Sequence, residues 1–228
     1  VNIWTRPGPA LFIGLMTGVA MGIYSTAMVI APVIRVTMEF YLTAVWSTII
    51  GVIWLSERLD LRRVATVVAG LFGLFLLIAG APDSAQSAFG LGDVLALASG
   101  VLWAFGAAGM KRWPGEKLLA TSFYQFVFAV LAGAVLAHLL FPGTAPAPAQ
   151  LLDVLPLAFV GSAMLLLPSI MAIFWASRVL FPGRAAILMM SEALVATISA
   201  TLLLPEETMT LMQWAGGAIV LLACLLGS

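Results

Sequence analysis

The sequence is short of charge, has one cysteine and one histidine, and carries no excess of either sign. Charged residues fill 9% of 228 positions against 63% apolar ones, far below the roughly one quarter usual in soluble domains. A water-soluble single domain is excluded. Ten Lys and Arg balance ten Asp and Glu, so no basic field exists to hold nucleic-acid phosphates. Disorder is excluded as well, because it needs low hydrophobicity and high charge. Cys224 stands alone and His138 is the only histidine, so neither an intrachain disulfide nor a Cys-based metal site can form. No G-x-x-x-x-G-K-[ST] phosphate loop occurs, which argues against ATP hydrolysis within this chain.

What the sequence does have is long apolar runs. A helix rises about 1.5 Å per residue, so about 20 apolar residues cross roughly 30 Å of hydrocarbon. Eight runs approach or exceed that length: residues 10–30, 36–55, 64–81, 94–110, 118–141, 154–177, 185–204 and 208–227. Breakers such as Ala31-Pro32, Trp113-Pro114-Gly115, Phe141-Pro142-Gly143, Phe181-Pro182-Gly183 and Pro205 separate them. Barrel strands would alternate over about ten residues, whereas these runs are continuous. The expected fold class is an all-α integral membrane protein with eight transmembrane helices here.

The cations sort by side. Arg6, Arg58, Arg62, Arg63, Lys111, Arg112, Lys117, Arg178 and Arg184 fall on one side of an eight-span arrangement, and only Arg35 falls on the other. Short cytoplasmic loops are rich in Lys and Arg. The expected location is therefore the cytoplasmic (inner) membrane, multi-pass, with both chain ends cytoplasmic.

An internal repeat emerges at an offset of 149 residues. Ala27, Arg35, Ala44, Thr48, Ile49 and Glu57 land on Ala176, Arg184, Ala193, Thr197, Ile198 and Glu206. Glu57 and Glu206 fall on opposite sides, the mark of an inverted-repeat transporter. Residues 1–81 then form an incomplete first repeat of three helices, and residues 91–228 a second repeat of five. The expectation is a ten-helix protein whose first two helices, on the order of sixty residues by the span rule, precede Val1.

These segments carry a family resemblance. Glu39-Phe40-Tyr41-Leu42-Thr43-Ala44-Val45-Trp46, continuing to Trp54-Leu55-Ser56-Glu57-Arg58-Leu59, resembles the first-repeat signature of the EamA-type drug/metabolite transporters. Its later counterpart runs from Ser191-Glu192-Ala193 through Leu204-Pro205-Glu206 to Gln213-Trp214-Ala215-Gly216. Ala44 and Ala193 stand where that family commonly has proline, so the resemblance carries no proline kink to either place. It implies a two-repeat exporter or importer of small metabolites with a central cavity between the repeats, without fixing the substrate.

Candidate substrate-binding residues follow from depth and chemistry. A carboxylate at the bilayer centre costs roughly 2.5 to 3.5 kcal/mol, and two lie within the runs: Glu192, about 10 Å into its span, and Glu39, about 5 Å from its outer end. Glu192 is the stronger candidate and is placed to take up and release a proton. Glu39, Thr43, Trp46, Ser47 and Ile50 share one helical face that mixes polar groups with an aromatic. Trp46 and Trp103 fall near mid-span, where an interfacial anchor role fails. Tyr24, Tyr41, Tyr124, Gln125, Ser169 and Trp175 complete the set; each has a bland alternative in a bond or contact between helices. Gly14, Gly18 and Gly22 recur every four positions and predict close approach of another helix. Pro168-Ser169 inside the sixth run predicts a bend.

The leading expectation is a secondary transporter of a small neutral or zwitterionic metabolite, working by alternating access. An aromatic lining suits amino acids or hydrophobic amines. The expected partners are a small-molecule solute and membrane lipids, with a homodimer as an option. No cofactor, metal or catalytic residue is expected, and the chain is not read as an enzyme. Two other readings are a membrane-embedded enzyme on a lipid-linked substrate and a non-catalytic scaffold subunit.

Overall fold

The computed structural model describes residues 7–31, 33–58, 60–79, 89–143, 148–182, 184–186, 188–189 and 210–227. Its helices are α1 (Pro7–Ile30), α2 (Val33–Tyr41), α3 (Thr43–Leu55), α4 (Leu61–Ala79), α5 (Leu91–Arg112), α6 (Leu118–Leu140), α7 (Pro148–Gly161), α8 (Leu167–Val179) and α9 (Leu211–Gly227), with a π-helical turn at Ser162–Leu166 joining α7 to α8. Among the described residues there is no strand.

Among the described residues, four helical stretches are long and apolar enough to cross a membrane: Gly8–Ile30, Leu91–Arg112, Leu118–Leu140 and Ala149–Val179. Shorter apolar stretches at Glu39–Leu55, Val64–Leu76 and Leu211–Ala223 match the second, third and eighth runs of the sequence. The seventh run, 185–204, lies almost wholly outside the described residues.

Helix α1 is held between α6 and α5, while α4 pairs with α9. The glycine stripe explains the first contact. A β-carbon at Gly14 would lie 3.0 Å from the Gln125 backbone nitrogen, and one at Gly22 would lie 3.0 Å from that of Gly133. The two backbones therefore touch along three turns, as small-residue faces allow. On α5, Gly106 and Gly109 receive Thr17 and Ile13 of α1 in the same way. In the second pair, a β-carbon on Gly73 of α4 would stand 2.8 Å from the Gly216 carbonyl oxygen of α9.

Burial is uneven. The most apolar windows of α1 and α5 are 44% and 56% buried, against 6% for α6 and 11% for Ala149–Val179. Apolar side chains such as Leu157, Phe159, Met164 and Leu165 are exposed. In water such faces would drive aggregation, whereas lipid tails cover them at no cost.

Just before Pro168, where the sequence predicts a bend, the helix carries the π turn. Proline lacks an N–H, and its ring crowds the carbonyl four residues back. The chain responds with a wide turn in which the Leu167 N–H reaches the Ser162 carbonyl, the usual way for an α-helix to absorb such a defect.

At one end of the bundle, cations close the helix ends. Lys111 Nζ donates to the carbonyls of Val179 at 2.7 Å and Arg178 at 3.2 Å, and Arg112 donates to the Trp54 carbonyl at 3.1 Å. The Arg178 guanidinium donates to the Glu116 carbonyl. Terminal carbonyls without helical partners are natural acceptors for Lys and Arg. Phe12, Trp54 and Trp113 meet edge to face beside them, with centroids 5.6 to 5.7 Å apart. Lys111→Met is expected to cost about 1 kcal/mol, read as a lower melting temperature in detergent. Unchanged melting would show that these bonds do not anchor α8.

Candidate functional site

The second apolar run is not one uninterrupted α-helix: α2 gives way to α3 at Leu42, whose backbone stays in the helical region (φ −58°, ψ −10°). Leu42 lies six residues past Val36 and so about 9 Å along the run. The local bonding tightens there: the Leu42 N–H reaches the Glu39 carbonyl at 3.3 Å and the Val45 N–H reaches the Leu42 carbonyl at 2.9 Å, both i→i+3, while the Trp46 N–H still reaches the Leu42 carbonyl at 3.2 Å, i→i+4. No proline is involved. Instead α5 meets the interruption from the side. Thr43, fully buried, donates its hydroxyl to the Gly100 carbonyl at 2.5 Å. A β-carbon on Gly100 would lie 3.0 Å from the Phe40 carbonyl oxygen and 3.7 Å from that of Glu39. Glycine at 100 is what lets α5 approach the ends of α2 and α3 so closely.

Around this point the structure gathers aromatics from three helices. Tyr24 of α1 lies 4.6 Å from Phe40 of α2, Phe40 lies 5.8 Å from Tyr41, and Phe40 meets Trp103 of α5 edge to face at 6.1 Å. The Tyr24 and Thr37 hydroxyls are 3.4 Å apart. Tyr41 and Trp103 are buried. Glu39, partly buried, occupies the last turn of α2 directly before the interruption. Tyr24, Tyr41 and Trp103 are thus brought together, with Thr43 and the Glu39 backbone beside Gly100 at the same turn. Phe40, which joins the three rings, is missing from the sequence-derived set. Its apolar character reads as core until neighbouring rings are placed around it.

The other candidates go elsewhere. Trp46 packs with Ile50 of α3 and Ala104 and Ala108 of α5, a separate cluster from that of Trp103. Its indole N–H is buried and has no acceptor among the described residues. Gln125 of α6 is fully buried, donates to Met21 Sδ at 3.6 Å, and keeps an unpartnered amide oxygen. Tyr124 is half-buried and meets Phe123 at 5.7 Å. Ser169 is exposed and donates to the Leu165 carbonyl of its own helix at 2.7 Å, the local back-bond common for serine in helices. Trp175 is 62% exposed. Glu192 lies outside the described residues. No cluster of three His, Cys, Asp or Glu side chains suited to a metal occurs among the described residues.

Among the described residues, two grooves open to the surface flank α6. One, of about 510 Å³, lies between α1 and α6 and is lined by Met21, Thr26, Phe126 and Gly133 among others. The other, of about 530 Å³, lies on α6 against Leu167 of α8, with Ser122, Phe123, Phe126 and Val130 in its wall. Neither contains the aromatic cluster at the interruption. Ser122 is 1% exposed and its hydroxyl has no hydrogen-bond partner among the described residues, whereas a lone serine in an apolar helix ordinarily bonds its own backbone.

Comparison with known proteins now bears on these features. No curated protein matches the chain. Among solved structures, one crystal structure superposes with a TM-score of 0.74 at 19% identity, over all of this chain and 78% of the other, so the helical arrangement is a recurring fold. The profile of the EamA-like transporter family matches residues 2–79 and 90–228. A multi-pass, all-helical membrane chain matched over nearly its whole length in this way belongs to the EamA-like transporter family.

Proposed function

We propose that the chain works as a secondary transporter for a small neutral or zwitterionic metabolite, and that the interruption at Leu42 is where solute is handled. The observation that carries this reading is an irregular turn deep in an apolar run, beside Gly100, flanked by Glu39 and the Tyr24–Phe40–Tyr41–Trp103 cluster. Irregular backbone at membrane depth is tolerated only where protein buries it or a wet cavity receives it. Many inverted-repeat transporters place solutes at interrupted helices near the bilayer midplane, where helix ends and unwound carbonyls offer polar contacts. The rings supply a flat apolar surface and the Glu39 carboxylate a nearby charge, a combination suited to aromatic amino acids or hydrophobic amines.

Alternating access then needs two arrangements of the helices around that turn. In this proposal residues 1–81 and 91–228 are the two inverted repeats that rock against each other. With no phosphate loop in the sequence, the energy comes from a gradient. We assign proton coupling to Glu192, the carboxyl that the sequence places deepest in its run.

The test is uptake into proteoliposomes of tritiated phenylalanine and tritiated phenethylamine, with and without an imposed pH gradient. Wild type is expected to accumulate at least one of them, and Glu192→Gln to remove the dependence on the gradient. Full gradient-driven uptake by Glu192→Gln would end the proton assignment. A wild type that moves neither solute would end the substrate reading.

A further inference from the structure

We infer that the cation-rich end of the bundle carries a gate: Phe12, Trp54 and Trp113 shut the seam between α3 and α5, and Arg112 fastens it. The inference rests on the proposed solute path through the turn at Leu42 and assigns that path its mouth on the side where short loops gather Lys and Arg, the cytoplasm. The three helices that bring Tyr24, Thr43 and Trp103 to the turn also carry the triad, with Phe12 on α1, Trp54 on α3 and Trp113 at the end of α5. Counted along each helix, the turn and the triad lie about 15 to 18 Å apart. Between them Trp46 and Ile50 of α3 pack on Ala104 and Ala108 of α5. The α5 side of this seam is smooth, so parting the two helices opens a lane toward the turn.

Four features make a gate of the triad rather than fixed packing. Its rings meet edge to face, with centroids 5.6 to 5.7 Å apart, an attractive geometry that no hydrogen bond between the rings locks. The two indoles sit where helices stop: left-handed Ser56, at φ 55°, follows Trp54 by two residues, and α5 ends at Trp113 before Pro114 and Gly115. Element-terminal residues are the ones that absorb hinge motion. Arg112 of α5 holds Trp54 of α3 twice, donating to its carbonyl at 3.1 Å and standing over its ring at 5.4 Å. Arg112 is exposed, so water can replace both contacts when the helices part. Finally, the Trp46 indole N–H is buried in the seam with no acceptor among the described residues. The closed seam leaves that donor unsatisfied, and an open one lets water or solute reach it.

The test reads access from each face of the membrane and requires no identified solute. Ser47 stands one turn past Thr43 on the buried face of α3, so Ser47→Cys in a Cys224→Ser background puts a single thiol on the path. Inside-out and right-side-out membrane vesicles holding the full chain are treated with a membrane-impermeant methanethiosulfonate, and modification is timed by mass spectrometry. With the triad intact, modification from the cytoplasmic face is expected to be slow. Phe12→Ala and Arg112→Gln are each expected to speed it about fivefold or more by favouring the open seam, with no rise from the outer face. Arg112→Lys keeps the charge but not the planar stack, and is expected to fall between. If Phe12→Ala does not accumulate, Phe12→Leu and the exposed Arg112→Gln carry the test. Unchanged rates would mean fixed packing and would overturn the proposal. An equal rise from both faces would mean a loosened bundle, and a rise confined to the outer face a path that runs the other way; either would overturn it too. Fast modification of the intact triad from the cytoplasmic face would do the same. These rates do not depend on whether phenylalanine or phenethylamine is carried, so the gate and the solute reading fail separately.

Discussion

Gly18→Leu is expected to abolish recovery of folded, monodisperse protein, while Gly133→Ala on the opposing helix melts at or above the wild-type temperature. At Gly18 a β-carbon would sit 2.8 Å from Phe128 Cβ and 3.1 Å from the Ala129 backbone nitrogen, with the Gln125 carbonyl nearer still. Those are main-chain atoms and a β-carbon, so no rotamer change relieves the clash. The whole of α6 has to move away from α1. Overpacking a formed core costs typically about 1 to 3 kcal/mol, and a leucine between two backbones belongs at or beyond the upper end. The better helix propensity of leucine returns less than about 1 kcal/mol. A β-carbon on Gly133 meets nothing within 4 Å, so alanine there gains helix propensity without a clash. Size-exclusion profiles and melting curves in detergent decide the matter. A Gly18→Leu protein that melts like wild type would mean that α1 and α6 are not packed backbone to backbone.

Gly100→Val is expected to cut solute flux per folded molecule by about tenfold or more, with a smaller fall for Thr43→Val. The valine β-carbon would press on the Phe40 carbonyl at 3.0 Å, and its methyl groups would push α5 off the ends of α2 and α3. Disfavouring one state of a transport cycle by roughly 1.4 kcal/mol is enough for a tenfold loss. Thr43→Val keeps the shape and removes the 2.5 Å bond to the Gly100 carbonyl, a change of about 1 kcal/mol. Flux normalised to the correctly folded fraction separates this from simple destabilisation. If Gly100→Val folds and transports like wild type, the interruption at Leu42 is not part of the solute path, and the proposed function loses its main support.

Parts of this architecture were readable from residue order. The glycines at 14, 18 and 22 predict a close helix contact because the spacing alone puts them on one face, and the structure supplies the partner, α6. Pro168 predicts a bend because a missing N–H is a property of the residue itself, and what the structure shows is a π turn at 162–166. The interruption at Leu42 was not readable. Glu39 to Ile50 has the periodicity of one continuous helix, and Ala44 carries no proline. For the same reason Glu39 and Trp46 were placed together, yet Trp46 packs with Ala104 and Ala108 while Glu39 ends α2 beside the aromatic rings. Ser169 and Trp175 have the right chemistry for a site and sit at exposed positions, because which face of α8 meets α5 depends on where α5 lies.

Residue order by itself determined that this chain is helical, that it belongs in a membrane and which transporter family it joins. Hydropathy summed over a span, and the backbone's need to bond itself in lipid, are local properties. Only the tertiary structure decided where helices break, which rings meet and which polar groups are left unpaired. An irregular turn or a buried hydroxyl is favourable or costly according to what another helix brings to it, as Gly100 does for Leu42 and as no described residue does for the Ser122 hydroxyl.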